Sequence, residues 1–307
     1  MTGLFLAAVL AVAGCLANTT SRSPDGVPLV GQNPGGAAGL VLPLDSYELT
    51  SAENFAVHRA NIRLLHDCMT AFGLAFSESA QAPSRYPRHA TLLYWLGSHD
   101  VQKHGYGGPP GFAEEVAAAA RREARPIVIP ENQLSVFSGT EPQFSGRAVP
   151  PGGCDGQARR SLHRGALAVD LSAVDPTVMP ERGVQALESR AADQARTDDR
   201  YRSVVAAWRR CMQRAGYPYT DPDQAQSDPR WAERTTAAAP SDAEIAVALA
   251  DRRCRDEVNL SGVLRSVIAE HEMQLIPRHH TALRQVSELL RTNLRNAYGV
   301  LGESTGE

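Results

Sequence analysis

A nine-residue element that contains a cysteine occurs twice in this chain of 307 residues. The element reads CMTAFGLAF from Cys68 and CMQRAGYPY from Cys211. Apolar residues at helical spacing precede both copies, and Gly73 and Gly216 lie where a left-handed residue commonly ends a helix. The element therefore predicts two helix C-termini, each with a cysteine near its end that can attach the helix to another segment.

The start of the chain has the pattern of an export signal. Residues 4–13 form an unbroken apolar run, which is typical of a signal peptide and too short to cross a bilayer, since a spanning helix needs about 20 residues. The letters VAGC that end at Cys15 resemble the bacterial lipobox, in which the cysteine becomes the new N-terminus and carries a diacylglycerol thioether. The resemblance implies lipidation of Cys15 and attachment to the membrane through that lipid.

The alternative for this region is an ordinary secretory signal with an incidental cysteine at position 15. In either case the first three residues lack the Lys or Arg that usually opens a signal peptide. The expected location is the extracytoplasmic face of the cell membrane, with secretion as the alternative.

The residues after the signal predict a tether and then a folded domain. Residues 16–39 are rich in Gly, Pro, Ser, Thr and Asn and show no apolar periodicity, so they cannot bury enough apolar surface to fold alone. The sequence divides the chain into a lipoprotein signal peptide at 1–14, a lipidated N-terminus and flexible tether at 15–45, and a mainly helical domain at 46–307 with possible halves at 46–170 and 180–307.

Four cysteines remain after Cys15 is assigned to the lipid. An even number of cysteines in an exported chain indicates disulfides, and four cysteines allow three pairings that a sequence does not distinguish. If each half has one repeated element and one later cysteine, the pairs are Cys68–Cys154 and Cys211–Cys254, which is the arrangement we favour. None of them lies in a C-x-x-C pair, so neither a zinc ribbon nor a redox-active dithiol is indicated.

The hydrophobic pattern predicts a mainly α protein. A T-x-x-E box at Thr50 and an S-x-x-E box at Ser241 mark two helix starts. Apolar residues recur at helical spacing from Leu260 to Tyr298, and Pro277 is expected to kink or break the helix near Ile276. This long C-terminal helix is expected to form a hairpin with the helix before it. Short β-prone runs in residues 126–149 predict a small hairpin or extended segment.

Three segments, taken in order, carry a resemblance to a protein family. They are the repeated element, the PPGGC run at 150–154 and the ALADRRC run at 248–254, which a long helix follows. In this order they resemble a family of uncharacterised secreted proteins and lipoproteins of actinobacteria, over residues of about 50 to 298. The resemblance implies a helical extracytoplasmic protein, and it implies no reaction.

Charge and composition argue against several kinds of partner. The chain has 31 basic and 34 acidic residues, for a net charge of −3, so a nucleic-acid partner recognised through bulk charge is not expected. Aromatic residues make up only 6% of the chain, which does not favour a broad stacking surface for sugars or bases.

The sequence assigns no metal-binding, cofactor-binding or catalytic residue. His271-Glu272 begins as a zincin helix does, but Leu275 occupies the place of the second histidine that such a site needs. Because His271 lies on the apolar stripe of its helix, we interpret it as a core histidine. No metal site is predicted there, nor at His279 and His280.

Two further groups suggest a nucleophile, and we interpret both structurally. The run Ser-His-Asp at 98–100 is consecutive, whereas the members of a catalytic triad need not be neighbours in sequence. Cys68 follows His66 and Asp67, but a cysteine in an exported protein is more often half of a disulfide.

These features favour a lipid-anchored extracytoplasmic protein that binds or scaffolds a partner. The sequence does not say whether this partner is a protein or a component of the cell wall, and no cofactor is expected. The alternative is a cell-envelope hydrolase with an acid pair that the sequence does not identify.

Overall fold

The computed structural model describes residues 40–76, 82–94, 99–232, 234 and 238–303. Within them the protein is mainly helical, as the hydrophobic pattern predicts. The α-helices in this part of the chain are α1 (Ser51–Ala71), α2 (Val101–His104), α3 (Phe112–Ala120), α4 (Leu134–Ser138), α5 (Gly153–Leu162), α6 (Gly183–Thr197), α7 (Asp199–Arg214), α8 (Pro222–Gln226), α9 (Pro229–Ala232), α10 (Asp242–Val258), α11 (Leu260–Arg278) and α12 (His280–Leu301). Short 3-10 helices cover Pro43–Tyr47, Glu131–Gln133 and Pro180–Arg182. None of the helices in these described ranges has the length and hydropathy needed to cross a bilayer.

Both copies of the repeated element end a helix in the same way. Gly73 and Gly216 follow α1 and α7 with φ angles of +76° and +87°. In each copy the N–H of the residue after the glycine donates to the carbonyl oxygen of the methionine beside the cysteine, at 3.1 Å in the first copy and 2.9 Å in the second. This is the Schellman arrangement, which a left-handed glycine permits at low cost. The two predicted helix C-termini are confirmed.

The structure pairs Cys68 with Cys154 and Cys211 with Cys254. The first bridge joins α1 to α5, and the second joins α7 to α10. The bridges belong to two different clusters of buried apolar side chains, and the second lies in the cluster that surrounds Trp208. Each bridge therefore stabilises its own part of the core, and the disulfides indicate an extracytoplasmic location.

The segment at 126–149 contains a small hairpin, as expected, but one of its β-prone runs, LSVFS at Leu134–Ser138, forms helix α4. Strands β1 (Gln143–Phe144) and β2 (Arg147–Ala148) pair antiparallel. Ser145 and Gly146 between them have φ angles of +49° and +76°, and two left-handed residues are what a tight type I′ hairpin requires.

The long C-terminal helix is interrupted close to its proline, as predicted. Pro277 lies in the last turn of α11, and α12 begins after the single residue His279. The N–H of His279 donates to the carbonyl oxygen of Leu275 at 3.0 Å. Proline cannot donate such a bond, and α11 ends at Arg278, one residue after Pro277. At the other end of α11, left-handed Asn259 joins it to α10, and the two helices contact each other.

The long helices place the N-terminal and C-terminal parts of the chain against each other. Helix α12 packs along α1, and α11 packs against α6 and α7. Because α1 belongs to the first possible half and α12 to the second, the two halves are in direct contact. The 3-10 helix Pro43–Tyr47 packs against α6, α11 and α12, and the candidate site lies at this junction.

Candidate functional site

The segment of residues 40–49, which we call the N-terminal segment, enters the core before α1 begins. Its four leucines are each no more than 2% exposed. They are Leu40, Leu42, Leu44 and Leu49. The sequence assigned residues 40–45 to the tether, whereas the structure packs them into the folded domain because alternate leucines of this segment are buried.

Asp45 connects the N-terminal segment to the loop before α2. Its Oδ1 accepts a hydrogen bond from Arg88 Nη1 and lies beside His89 Nε2, each at 2.9 Å. Its Oδ2 accepts the N–H of Leu42 at 2.8 Å. Burial alone would raise the pKa of this carboxyl, but His89, the Leu42 N–H and Arg88 outweigh burial and lower that pKa below its ordinary value. Asp45 is therefore ionised at neutral pH.

Arg122 links two further carboxylates. Its Nη2 contacts Glu188 Oε2 and lies 3.4 Å from Glu48 Oε1. Burial raises the pKa of the Glu48 carboxyl above its ordinary value, with Arg122 opposing the rise and Glu188 adding to it. Glu188 lies on α6 and Glu48 in the N-terminal segment, so Arg122 ties the segment to the helix beneath it.

The backbone that carries Arg122 is strained. Arg122 and Glu123 follow α3 with φ angles of +54° and +64°. This conformation costs a residue other than glycine about 1–2 kcal/mol. Such strain is often found at functional sites. Here the contacts of Arg122, and the hydrogen bond that Glu123 accepts from the Ser84 N–H at 2.9 Å, offset it.

Glu272 is the most deeply buried carboxyl of this region. It lies on α11 with 0% exposure, and its Oε2 accepts the N–H of Leu44 at 2.9 Å. Burial, with a smaller contribution from the negative charges of Glu188 and Asp45, raises the pKa of Glu272 to about 8, although the Leu44 N–H lowers it in part. Glu272 therefore holds a proton at neutral pH.

We call the four acids and three bases at this junction the carboxylate cluster. Its members are Asp45, Glu48, Arg88, His89, Arg122, Glu188 and Glu272. Three of its oxygens, Oε1 of Glu48, of Glu188 and of Glu272, are buried without a hydrogen-bond partner, although Glu48 Oε1 lies 3.4 Å from Arg122 Nη2. An unsatisfied buried acceptor costs about 1–3 kcal/mol, so these oxygens call for an explanation that helix packing does not supply.

In a second buried network, around Asp251, both oxygens of the carboxylate have all their hydrogen-bond partners. Asp251 Oδ1 accepts from Trp208 Nε1 at 2.8 Å and from Arg255 Nε at 2.7 Å. Its Oδ2 accepts from the Tyr106 hydroxyl at 2.8 Å and from Arg255 Nη2 at 2.6 Å. Every lone-pair direction of this carboxylate has a donor, which is the pattern of a structural network. The carboxylate cluster lacks this completeness and is therefore the candidate site.

Three members of the cluster have the composition and the proximity of a metal-ligand set. One ligand atom each of Asp45, His89 and Glu188 lies within 4.8 Å of the other two. His89 is 5% exposed and Glu188 is 8% exposed. Sequence reasoning missed this set, because its residues come from three separate segments and no local spacing connects them.

The histidines considered from the sequence lie elsewhere. His271 is partly exposed, with Nε2 3.8 Å from Asp198 Oδ2, so its interpretation as a core histidine is corrected. Its neighbour Glu272 takes the buried position instead, one turn after buried Ile268. His279 lies near Arg190, at 3.5 Å between Nε2 and Nη1.

The described members of the two suggested nucleophile groups make structural contacts. His99 Nε2 contacts the Gly105 carbonyl oxygen at 3.0 Å, and Asp100 caps α2. Cys68 is in a disulfide. Ser98 and the lipidation candidate Cys15 lie outside the described residues.

Comparison with family models, with curated proteins and with solved structures finds no match to this chain. The resemblance to actinobacterial secreted proteins and lipoproteins therefore stays a prediction. Function has to be argued from the site itself.

Proposed function

We propose that the protein is a lipid-anchored extracytoplasmic protein that binds or scaffolds a partner at the membrane surface. The lipobox-like VAGC and the disulfides support this location. The sequence predicts a flexible tether over residues 16–39, and Leu40 is already buried in the folded domain. A flexible chain of this length reaches about 25–30 Å root-mean-square, which keeps the domain close to the membrane.

The contrast between buried acids and open surface grooves supports the proposal that the protein binds a partner rather than catalyses a reaction. Three acids of the carboxylate cluster are buried, namely Glu48, Glu188 and Glu272, with exposed fractions of 6%, 8% and 0%. The open grooves lie elsewhere, on helix surfaces. A groove of about 480 Å³ runs along α6 past Asp193, and one of about 460 Å³ runs along α12 past Thr292. These volumes are in the range of ligand-binding clefts.

Lipidation at Cys15 is tested by Cys15→Ser. In a host that processes bacterial lipoproteins, we expect the variant to move from the membrane fraction to the soluble fraction. The reason is that two acyl chains hold a protein stably at a membrane, whereas a protein without them has no such anchor. Fractionation with immunodetection measures the change, and the mass of the N-terminal peptide of the wild type should include the lipid. Retention of Cys15→Ser in the membrane would contradict the proposed anchor.

Partner binding is tested by photocrosslinking in intact cells. A photoreactive amino acid at Asp193 or Thr292 should give discrete adducts, because both residues line open grooves. The matched control is Gln213, an exposed residue on α7 that lines neither groove. Adducts at neither groove, or the same adducts at the control position, would contradict binding through these surfaces.

A cell-envelope hydrolase is the second candidate, and one observation favours it. The pKa of Glu272 is raised and that of Asp45 is lowered, and a pair of carboxyls separated in this way is the pattern of an acid and its ionised partner. A substrate could reach Glu272 only if the N-terminal segment moved away. Hydrolysis of cell-wall polymer by the wild type that is lost in Glu272→Gln would favour this candidate over binding.

A further inference from the structure

We propose that Asp45, His89 and Glu188 bind a divalent transition-metal cation of the zinc class. The three residues come from the N-terminal segment, from the loop before α2 and from α6, so the bound ion would connect parts of the fold that are distant in sequence. The inference goes beyond the proposed function, because a partner-binding protein does not require it.

The donor set determines the class of cation. One imidazole nitrogen with two carboxylate oxygens suits zinc and similar transition metals, whereas calcium takes six to eight oxygens and magnesium keeps several waters. Ligands about 2.1 Å from zinc in a tetrahedral site are about 3.4 Å apart. The ligand atoms of the three residues lie within 4.8 Å of one another, so shifts of about an ångström would close the site.

The unpartnered oxygens are a second, independent indication of a ligand. Glu188 is 8% exposed and Glu272 is 0% exposed, and each has an Oε1 without a hydrogen-bond partner. A cation that takes Glu188 Oε1 as a ligand would satisfy the first.

The groups around the three ligands would orient them. Arg88 Nη1 donates to Asp45 Oδ1 at 2.9 Å, and the Leu42 N–H donates to Asp45 Oδ2 at 2.8 Å. Arg122 contacts Glu188. Hydrogen bonds to ligating carboxylates are a common feature of metal sites and fix the direction of the ligand. In the zinc-bound form, Nε2 of His89 would bind the ion in place of its present contact with Asp45 Oδ1.

The site would pin the N-terminal segment to the body of the domain. Asp45 is the ligand on the segment that leads back toward Cys15, and Glu188 is the ligand on α6. Zinc would therefore stabilise the contact between the anchored end of the chain and the helical core, because a ligand that binds only the folded state raises its stability.

The test measures zinc binding by the full, untagged chain, purified in detergent and stripped with a chelator. We expect about one equivalent of Zn²⁺ by equilibrium dialysis with elemental analysis, and a rise of Tm with zinc concentration. His89→Gln and Glu188→Gln should each weaken zinc binding at least tenfold. The matched control is His271→Gln, which removes a histidine next to Glu272 but outside the ligand set, and it should bind zinc as the wild type does.

If a variant does not fold, the position of zinc in the wild-type protein still tests the proposal. An anomalous difference map from zinc-loaded crystals should place the ion between Asp45, His89 and Glu188. Zinc at another place, the absence of stoichiometric zinc, or a loss of zinc in His271→Gln but not in folded His89→Gln would each overturn the proposal. So would saturation by calcium without competition from zinc.

Discussion

The Cys211→Ala/Cys254→Ala variant is expected to lose about 4 kcal/mol of unfolding free energy. The bridge spans 43 residues, and the chain-entropy model gives about 4 kcal/mol for a loop of this length. Cys211 is 3% exposed and Cys254 is 0% exposed, so their removal also disturbs the cluster around Trp208. Denaturant titration followed by tryptophan fluorescence measures the loss.

The other bridge provides the matched comparison. Cys68 and Cys154 are separated by 86 residues, so their removal should cost a similar amount, about 4–5 kcal/mol. Because the bridges lie in different apolar clusters, the two losses should add within about 0.5 kcal/mol. A loss below about 1 kcal/mol for either pair, or a disulfide-linked peptide that joins Cys68 to Cys211, would contradict this arrangement.

Stability is expected to fall as pH rises toward 8, and Glu272→Gln should remove much of this dependence. The folded state raises the pKa of Glu272 from an ordinary value of 4.5 to about 8, so the folded chain holds this proton more tightly than the unfolded chain. The stability linked to that proton is complete below pH about 4.5 and is lost as pH rises through about 8. At about 1.4 kcal/mol for each pKa unit, the loss is about 4–5 kcal/mol.

The comparison between variants isolates this one carboxyl from the other titrating groups. Glutamine stays neutral and its oxygen can accept the Leu44 N–H, so Glu272→Gln should resemble the wild type near pH 5 and exceed its stability at pH 8. The control is Glu270→Gln on the same helix, a half-exposed residue that pairs with Arg200 and should leave the pH dependence unchanged. Denaturant titrations in chelator-containing buffer measure all three proteins. Equal pH profiles for the wild type and Glu272→Gln would contradict the assignment of the proton.

Local chemistry explains why the helix ends were predictable. The capping box at Thr50 forms as expected, with Thr50 Oγ1 accepting the Glu53 N–H at 3.3 Å and Glu53 Oε2 accepting the Thr50 N–H at 2.8 Å. The box at Ser241 forms only in part. Its Ser241 hydroxyl accepts the Glu244 N–H at 3.1 Å, but the Glu244 carboxylate turns away from the cap.

The Glu244 carboxylate takes two other partners instead, and one of them, Tyr106, is distant in sequence. Its Oε1 accepts the Tyr106 N–H at 2.9 Å, and Arg234 Nε donates to its Oε2 at 2.8 Å. A backbone donor and a guanidinium outcompete the cap because a charge-assisted hydrogen bond in a buried place is stronger than an exposed one. No window of sequence around Ser241 contains that information.

The carboxylate cluster also depends on contacts between residues that are distant in sequence. Asp45, His89, Glu188 and Glu272 lie in four separate segments, and each taken alone is an ordinary polar residue. Glu272 in particular follows a histidine on a stripe of apolar residues, and the pattern pointed to that histidine as the buried one. The choice between two adjacent residues depends on the exact rotation of α11 against the N-terminal segment, which hydrophobic spacing does not define.

Features that depend on neighbours along the chain could be predicted from the sequence. The glycine that ends each repeated helix, the capping box at Thr50 and the proline near the end of α11 all act within a few residues, so their outcomes could be inferred locally. The folded structure was needed to show which distant acids and bases meet near residues 40–49, which of them are buried without partners and how far each pKa moves. Those properties depend on burial and on charges a few ångströms apart, and both arise only when the segments pack together.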